Sequence, residues 1–224
     1  MKLIIGNKNY SSWSLRAWLL MRHFDVDFSE QYIRLFSDKM MEQMTGLCPN
    51  YKVPVLIDEN QHELADSKAI KIWDSLAICE YVNEQYLEGK AWPTHAEQRA
   101  IARSICAEMH AGFFNFRQEL PMHCRRTPAT IVYSLETQQE INRIISLLQE
   151  CLLTRAQKGE GFLFGKFSIA DAYYMPVVSR FTSYQIVVPD DIKQYMELML
   201  TLPAYQQWKA LAEQEVEVIE SGEV

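Results

Sequence analysis

Ser11, Ser12 and Ser14 place three hydroxyls around Trp13, between an apolar, strand-like opening (Leu3, Ile4, Ile5) and a helix-like run that begins near Leu15. The first N–H groups of a helix lack partners and carry the positive end of its dipole, so an anion at such a corner is stabilised. A serine there can donate a hydrogen bond to a thiolate that the protein itself does not supply. An unactivated serine hydroxyl is too weak to attack, and no His-Asp partner stands nearby, so donation is the chemistry the corner suits. A free thiol with a pKa of about 8.5 is mostly protonated at neutral pH, and lowering that value by about two units takes roughly 2.7 kcal/mol. One hydrogen bond to a charged group supplies roughly 1.5–3 kcal/mol and a helix N-terminus adds roughly 0.3–1. A serine at the corner is therefore sufficient without a base. The plainer alternative is that the three hydroxyls only cap a helix.

The surrounding elements follow a recognisable order. Residues 2–6 read as a buried strand, Leu15 to Phe24 as a helix, and Phe28–Leu35 as a second strand. Ser37 starts an amphipathic helix through Met40, Met41 and Met44 that stops at Gly46, before Pro49. Lys52–Asp58 is a strand interrupted by Pro54, which removes a ladder donor and belongs at a strand start or a sheet edge. After a loop through Asn60, Gln61 and His62, Ala69–Trp73 returns as an antiparallel partner, and Asp74-Ser75 opens a helix over Leu76–Tyr86. This β-α-β-α-β-β-α order predicts an α/β thioredoxin-like domain over residues 1–85. Turn chemistry from Gly89 to Pro93 marks a linker at 86–93, and Thr94-His95-Ala96-Glu97 reads as a capping box. Beyond it Gln98–Phe116, Leu135–Gln157, Ser168–Tyr184, Ile192–Thr201 and Ala204–Glu215 are helical in period, so residues 94–224 are expected to be an all-α domain. Ser168-Ile169-Ala170-Asp171 is a second capping box, read as a folding determinant.

Composition narrows the function. A chain of 224 residues, 48% apolar and 23% charged, has room for one large or two modest cores, and two units are the expectation. Its net charge of −7 argues against a nucleic-acid surface, which needs a basic patch. With no apolar run long enough to span a bilayer and no signal-peptide pattern, a cytoplasmic protein that leaves membranes alone is expected. Cys48, Cys79, Cys106, Cys124 and Cys151 include no C-x-x-C pair, so neither a metal site nor a dithiol redox pair is expected, and reduced structural thiols are the simpler reading.

Ser11-Ser12-Trp13-Ser14, Val53-Pro54, Asp74-Ser75 and Ser168-Ile169-Ala170-Asp171, in that order across nearly the whole chain, resemble the cytosolic glutathione transferases. With Leu15-Arg16, the corner is similar to the serine-using classes, especially bacterial members of the zeta or maleylacetoacetate isomerase type. The resemblance implies a homodimer that uses glutathione as co-substrate, with no metal, and adds its thiolate to a hydrophobic electrophile, as in detoxification. Glutathione-dependent isomerisation and a non-catalytic glutathione-binding stress protein are the alternatives. Residue by residue, it implies that Ser11 is the catalytic hydroxyl, with Ser12 second and Tyr10 third. Val53 would pair its backbone with the cysteinyl unit and Pro54 would be a cis-proline. Asp74 and Ser75 would hold the γ-glutamyl end, where a carboxylate suits the helix N-terminus and an ammonium suits Asp74. Lys52 stands where basic side chains reach the glycyl carboxylate. The electrophile is expected beside Trp13 and the first long helix of the second domain, against Met109, Phe113 and Arg117, with His110 a further participant to consider. A stripe spaced like Met109, Phe113, Phe116 and Arg117 is more often core than pocket.

Overall fold

The computed structural model describes residues 1–59, 69–154 and 160–224, so the expected loop through Asn60, Gln61 and His62 lies outside the described residues. The N-terminal domain comprises β1 (Lys2–Ile5), α1 (Ser12–His23), β2 (Ser29–Tyr32), α2 (Met40–Met44), β3 (Val55–Asp58), β4 (Ile70–Ile72) and α3 (Ser75–Tyr86). Its sheet has the order β2-β1-β3-β4. β1 runs parallel to β2, pairing Leu3 with Glu30, and antiparallel to β3, pairing Leu3 with Leu56; β4 is antiparallel to β3. This is the expected thioredoxin-like arrangement.

Strand alternation decides what each face covers. Leu3, Ile5 and Leu56 join the large core with Leu15, Trp18 and Leu19 of α1 and Ile78, Cys79 and Val82 of α3. Ile4 and Val55 point the other way, into a smaller cluster with Ile33, Met44 and Cys48. Met44 of α2 closes that face, while Met41 is exposed. The helix expected from Ser37 is thus shorter, with Phe36 at positive φ (57°) just before it.

Two expectations about β3 resolve together. Pro54 lies before the strand, and β3 is internal to the sheet; the edges are β2 and β4. Any free backbone at Val53 comes from its position ahead of the ladder, not from an edge strand.

The rest of the chain is mostly helical: α4 (Ala96–Ala111), α5 (Phe114–Glu119), α6 (Leu135–Thr154), α7 (Ile169–Ser183), α8 (Asp190–Leu200) and α9 (Pro203–Glu213), with a short 3-10 turn at Glu220–Gly222. Isolated bridges joining Phe162 to Gly165 and Phe164 to Lys166 interrupt the all-α expectation. The single helix expected over Gln98–Phe116 is two, because Gly112 is extended and Phe113 turns the chain in the left-handed region (φ 59°). The capping box expected at Thr94 is also absent: His95 precedes α4, and the Arg99 guanidinium ties the carbonyls of Pro93 and Thr94 instead.

α7 is the axis of the helical region. It is buried on nearly every side, packing on α1, α4 and α8, as an apolar-all-round helix requires. Its capping box is present: Asp171, fully buried, accepts from the N–H and the hydroxyl of Ser168 at 2.9 Å each, and from the Leu163 N–H at 3.0 Å.

Candidate functional site

The corner ahead of α1 is held by residues remote from it in sequence. Glu215 accepts from the backbone N–H groups of Lys8 (2.6 Å) and Asn9 (3.0 Å), and the Trp208 indole N–H donates to the Lys8 carbonyl (2.9 Å). The Asn9 side-chain oxygen accepts from the Arg125 N–H (2.9 Å), and the Asn7 side-chain oxygen from the Leu35 N–H (2.9 Å). With its loop fixed this way, the corner gains the preorganisation that a precise hydrogen-bond donor needs.

Ser11 is the N-cap of α1: its Oγ accepts from the Ser14 N–H (3.3 Å) and donates to Ser14 Oγ (2.7 Å), which itself accepts from the Gly6 N–H (3.1 Å). Ser12 Oγ accepts from Nη2 of Arg180, on α7, at 3.4 Å. The Tyr10 hydroxyl donates to the Glu223 carboxylate and accepts from Arg125 (3.0 Å). Burial, and then the Glu223 hydrogen bond, hold the Tyr10 phenol above its ordinary pKa.

A cleft of about 800 Å³ opens beside this corner, between the thioredoxin-like domain and the helical region. Ser11, Ser12, Lys52, Val53, Pro54, Asp74 and Ser75 all line it, as do Trp13 and Arg117. The Val53–Pro54 peptide bond is cis. Asp74 caps α3, its Oδ1 accepting from the N–H groups of Leu76 (2.9 Å) and Ala77 (3.0 Å), while its Oδ2 lies 3.3 Å from Nε2 of His110. Ser75 Oγ is 2.8 Å from the Tyr173 hydroxyl, which is 3.0 Å from Nδ1 of His110. A polar chain thus joins the start of α3 to α4 and α7, across the two parts of the molecule.

Two residues expected at the electrophile site lie elsewhere. Met109 and Phe113 are buried in the large core and do not line the cleft. Met109 continues the buried α4 stripe of Ala102, Ile105 and Cys106 against α7, and Phe113 is turned inward where the chain breaks between α4 and α5.

The wall that replaces them is cationic. Arg117 stacks over Trp13 (5.4 Å) and Phe114 (4.9 Å) and donates to the carbonyls of Met109 and His110. Arg16 lies behind the cleft, sandwiched between Trp13 (4.3 Å) and Tyr173 (4.2 Å), with Nε and Nη1 buried and unpartnered among the described residues. Burial, followed by repulsion from Arg16 and Arg117, pushes the pKa of Arg180 down to about 9. None of the three forms an ion pair among the described residues, in a chain of net charge −7. Arg180 was not singled out in the sequence, although it is the one basic residue of a helix that is buried on nearly every side, a position where burial demands a reason. Ile219, Ser221 and Gly222 complete the cleft beside Tyr10, a contribution that no local motif signals.

A four-stranded thioredoxin-like domain followed by a mostly helical region, with a cleft between them, defines the glutathione-transferase fold, and comparison with known proteins agrees. Residues 10–85 match the family described as glutathione S-transferase, N-terminal domain. A glutathione transferase homologue from Burkholderia gl BGR1 with bound glutathione superposes with a TM-score of 0.70 at 20% identity, over 96% of this chain and 98% of that one. Glutathione S-transferase unclassified 2 from Bombyx mori gives 0.69 at 18% identity over 95% and 94%. Maleyl pyruvate isomerase, a bacterial glutathione S-transferase of the zeta class, gives 0.66 at 17% identity over 97% and 100%. No curated protein sequence matches this chain significantly. Among the described residues no group of three His, Cys, Asp or Glu side chains could hold a metal ion, and no helix is long and apolar enough to cross a membrane.

Proposed function

We propose that the protein is a serine-using glutathione transferase. Residues 1–85 bind glutathione, residues 94–224 complete the site for the second substrate, and 86–93 link them. One observation carries this reading: the hydroxyl corner, the Val53-Pro54 segment ahead of β3 and the capped start of α3 all line one cleft. Those three features supply a thiolate donor, peptide-like backbone groups ahead of β3, and a helix N-terminus with a carboxylate for an amino-acid end. A hydroxyl of the Ser11-Ser12 pair stabilises the thiolate, which then adds to an electrophile seated against Trp13. Lys52, exposed at the rim, takes the glycyl carboxylate. A soluble homodimer working in the cytoplasm, without a metal, belongs to the same reading.

The guanidinium groups of Arg117 and Arg180 in the wall, which form no ion pair among the described residues, favour a second reading, in which the electrophile carries an anionic group and glutathione catalyses its isomerisation. Calorimetric titration with glutathione, followed by turnover assays with neutral aromatic electrophiles and with unsaturated carboxylates, separates these. The transferase reading expects glutathione binding with consumption of thiol; isomerisation expects product without net thiol loss. Binding with no turnover of either class would leave a glutathione-binding protein, and absence of binding would end all three readings.

A further inference from the structure

Three of the corner's hydroxyls, those of Tyr10, Ser11 and Ser12, line the cleft, and their hydrogen bonds divide them. Tyr10 is committed to Glu223 and Arg125. Ser11 is closed within its own cap, accepting from the Ser14 N–H and donating to Ser14 Oγ. Ser12 lines the cleft and accepts from Arg180, while its own proton meets no acceptor among the described residues. The 3.4 Å separation is at the long end for a hydrogen bond, so the guanidinium acts on this hydroxyl chiefly through its charge. A hydroxyl that accepts from a cation in a low-dielectric setting becomes a stronger donor on its other side.

Arg180 is itself rigidly placed. Its Nε donates to the Leu120 carbonyl (2.7 Å) and its Nη1 to the Pro176 carbonyl (3.2 Å), so Nη2 is the group left for Ser12. Arg16 and Arg117 stand near it, and no ion pair with a carboxylate neutralises it among the described residues.

We propose that Ser12, not Ser11, is the hydroxyl that donates to the glutathione thiolate, and that Arg180 is the positioning residue that orients and polarises it from α7. This rests on the proposed glutathione site and specifies its chemistry. The helical region then supplies more than a wall for the second substrate: it tunes the nucleophile across the cleft.

The test is the pH titration of the ultraviolet thiolate absorbance of bound glutathione, with folding checked by circular dichroism. Ser12→Ala is expected to raise the pKa of the bound thiol by about one to two, the loss of one hydrogen bond to a charged group. Ser11→Ala should move it far less and lower the melting temperature instead. Arg180→Gln should raise it by less than Ser12→Ala, Arg180→Lys should recover most of that change, and Arg180→Gln should add little once Ser12 is alanine.

The larger change in Ser11→Ala, with Ser12→Ala close to the wild type, would overturn this assignment and leave the transferase reading standing. No change in either serine variant, or no glutathione bound by the wild type, would remove both. An effect of Arg180→Gln that is the same with and without Ser12 would make the arginine an independent contact and refute its positioning role. Should Arg180→Gln not fold, Arg180→Lys replaces it: its smaller change must vanish in the Ser12→Ala background.

Discussion

α3 and α7 begin with the same residue types and do different things. At α7 the cap is sealed: Asp171 is fully buried, and both its oxygens are taken by the Leu163 N–H and by Ser168. At α3 the cap is open: one oxygen of Asp74 satisfies the helix, and the other faces His110 at the cleft. A cap becomes a binding site when acceptor capacity and access remain after the helix is satisfied. The start of α1 combines both states, with Ser11 spent on the cap and Ser12 facing the cleft.

The largest effect that would test this contrast is at the sealed cap. Asp171→Ala leaves the Leu163 and Ser168 N–H groups buried without their acceptor and should cost about 3 kcal/mol or more of stability in urea unfolding, from roughly 1–3 per orphaned group. A loss below about 1 kcal/mol, the scale of an ordinary cap, would mean that the two caps are energetically alike.

Asp171 also gives the fold a pH signature. Burial raises its native pKa to about 6, against an ordinary value of 3.8. The native state therefore holds an extra proton between those values. The stability this group contributes is full below pH 3.8 and is lost as pH rises through about 6. Asp171→Asn should flatten that slope; an unchanged slope in the variant would assign it to another group.

At the open cap the balance should reverse. Asp74→Ala is expected to cost about 1 kcal/mol of stability, as an N-cap does, while weakening glutathione about tenfold, or about 1.4 kcal/mol. Calorimetry showing unaltered affinity would reduce Asp74 to a cap and make the two helices equivalent. Smallest is His110→Gln. The pair it forms with Asp74 is partly exposed, so stability should fall by roughly 0.2–1 kcal/mol. A larger loss in thermal melts would show that the Asp74–His110–Tyr173 chain holds the domains together.

The elements that were legible are those specified locally. Strand alternation in Leu3-Ile4-Ile5, the caps at Asp74 and Ser168, and Pro54 ahead of β3 each depend on neighbours within a few residues, and the thioredoxin-like order follows from them. The motif residues from Ser11 to Ser75 line one cleft because the fold carries the end of β1, the start of the antiparallel β3 and the start of α3 to the same end of the sheet. What was not legible depends on rotation and distance. Met109 and Arg117 share a helical spacing, yet the break at Gly112 and Phe113 sends the first into the core and leaves the second on the wall. The Arg180–Ser12 contact joins residues 168 positions apart, and the closure by Ile219 and Gly222 comes from beyond the last long helix. Periodicity carries no information about either.

The state of the bound sulfur is the most direct measure of what the corner does. An ultraviolet difference spectrum of glutathione bound to the wild-type protein at neutral pH should show the thiolate band, because a corner hydroxyl and a helix N-terminus together supply enough stabilisation to ionise the thiol. Glutathione that binds and stays a neutral thiol would contradict it.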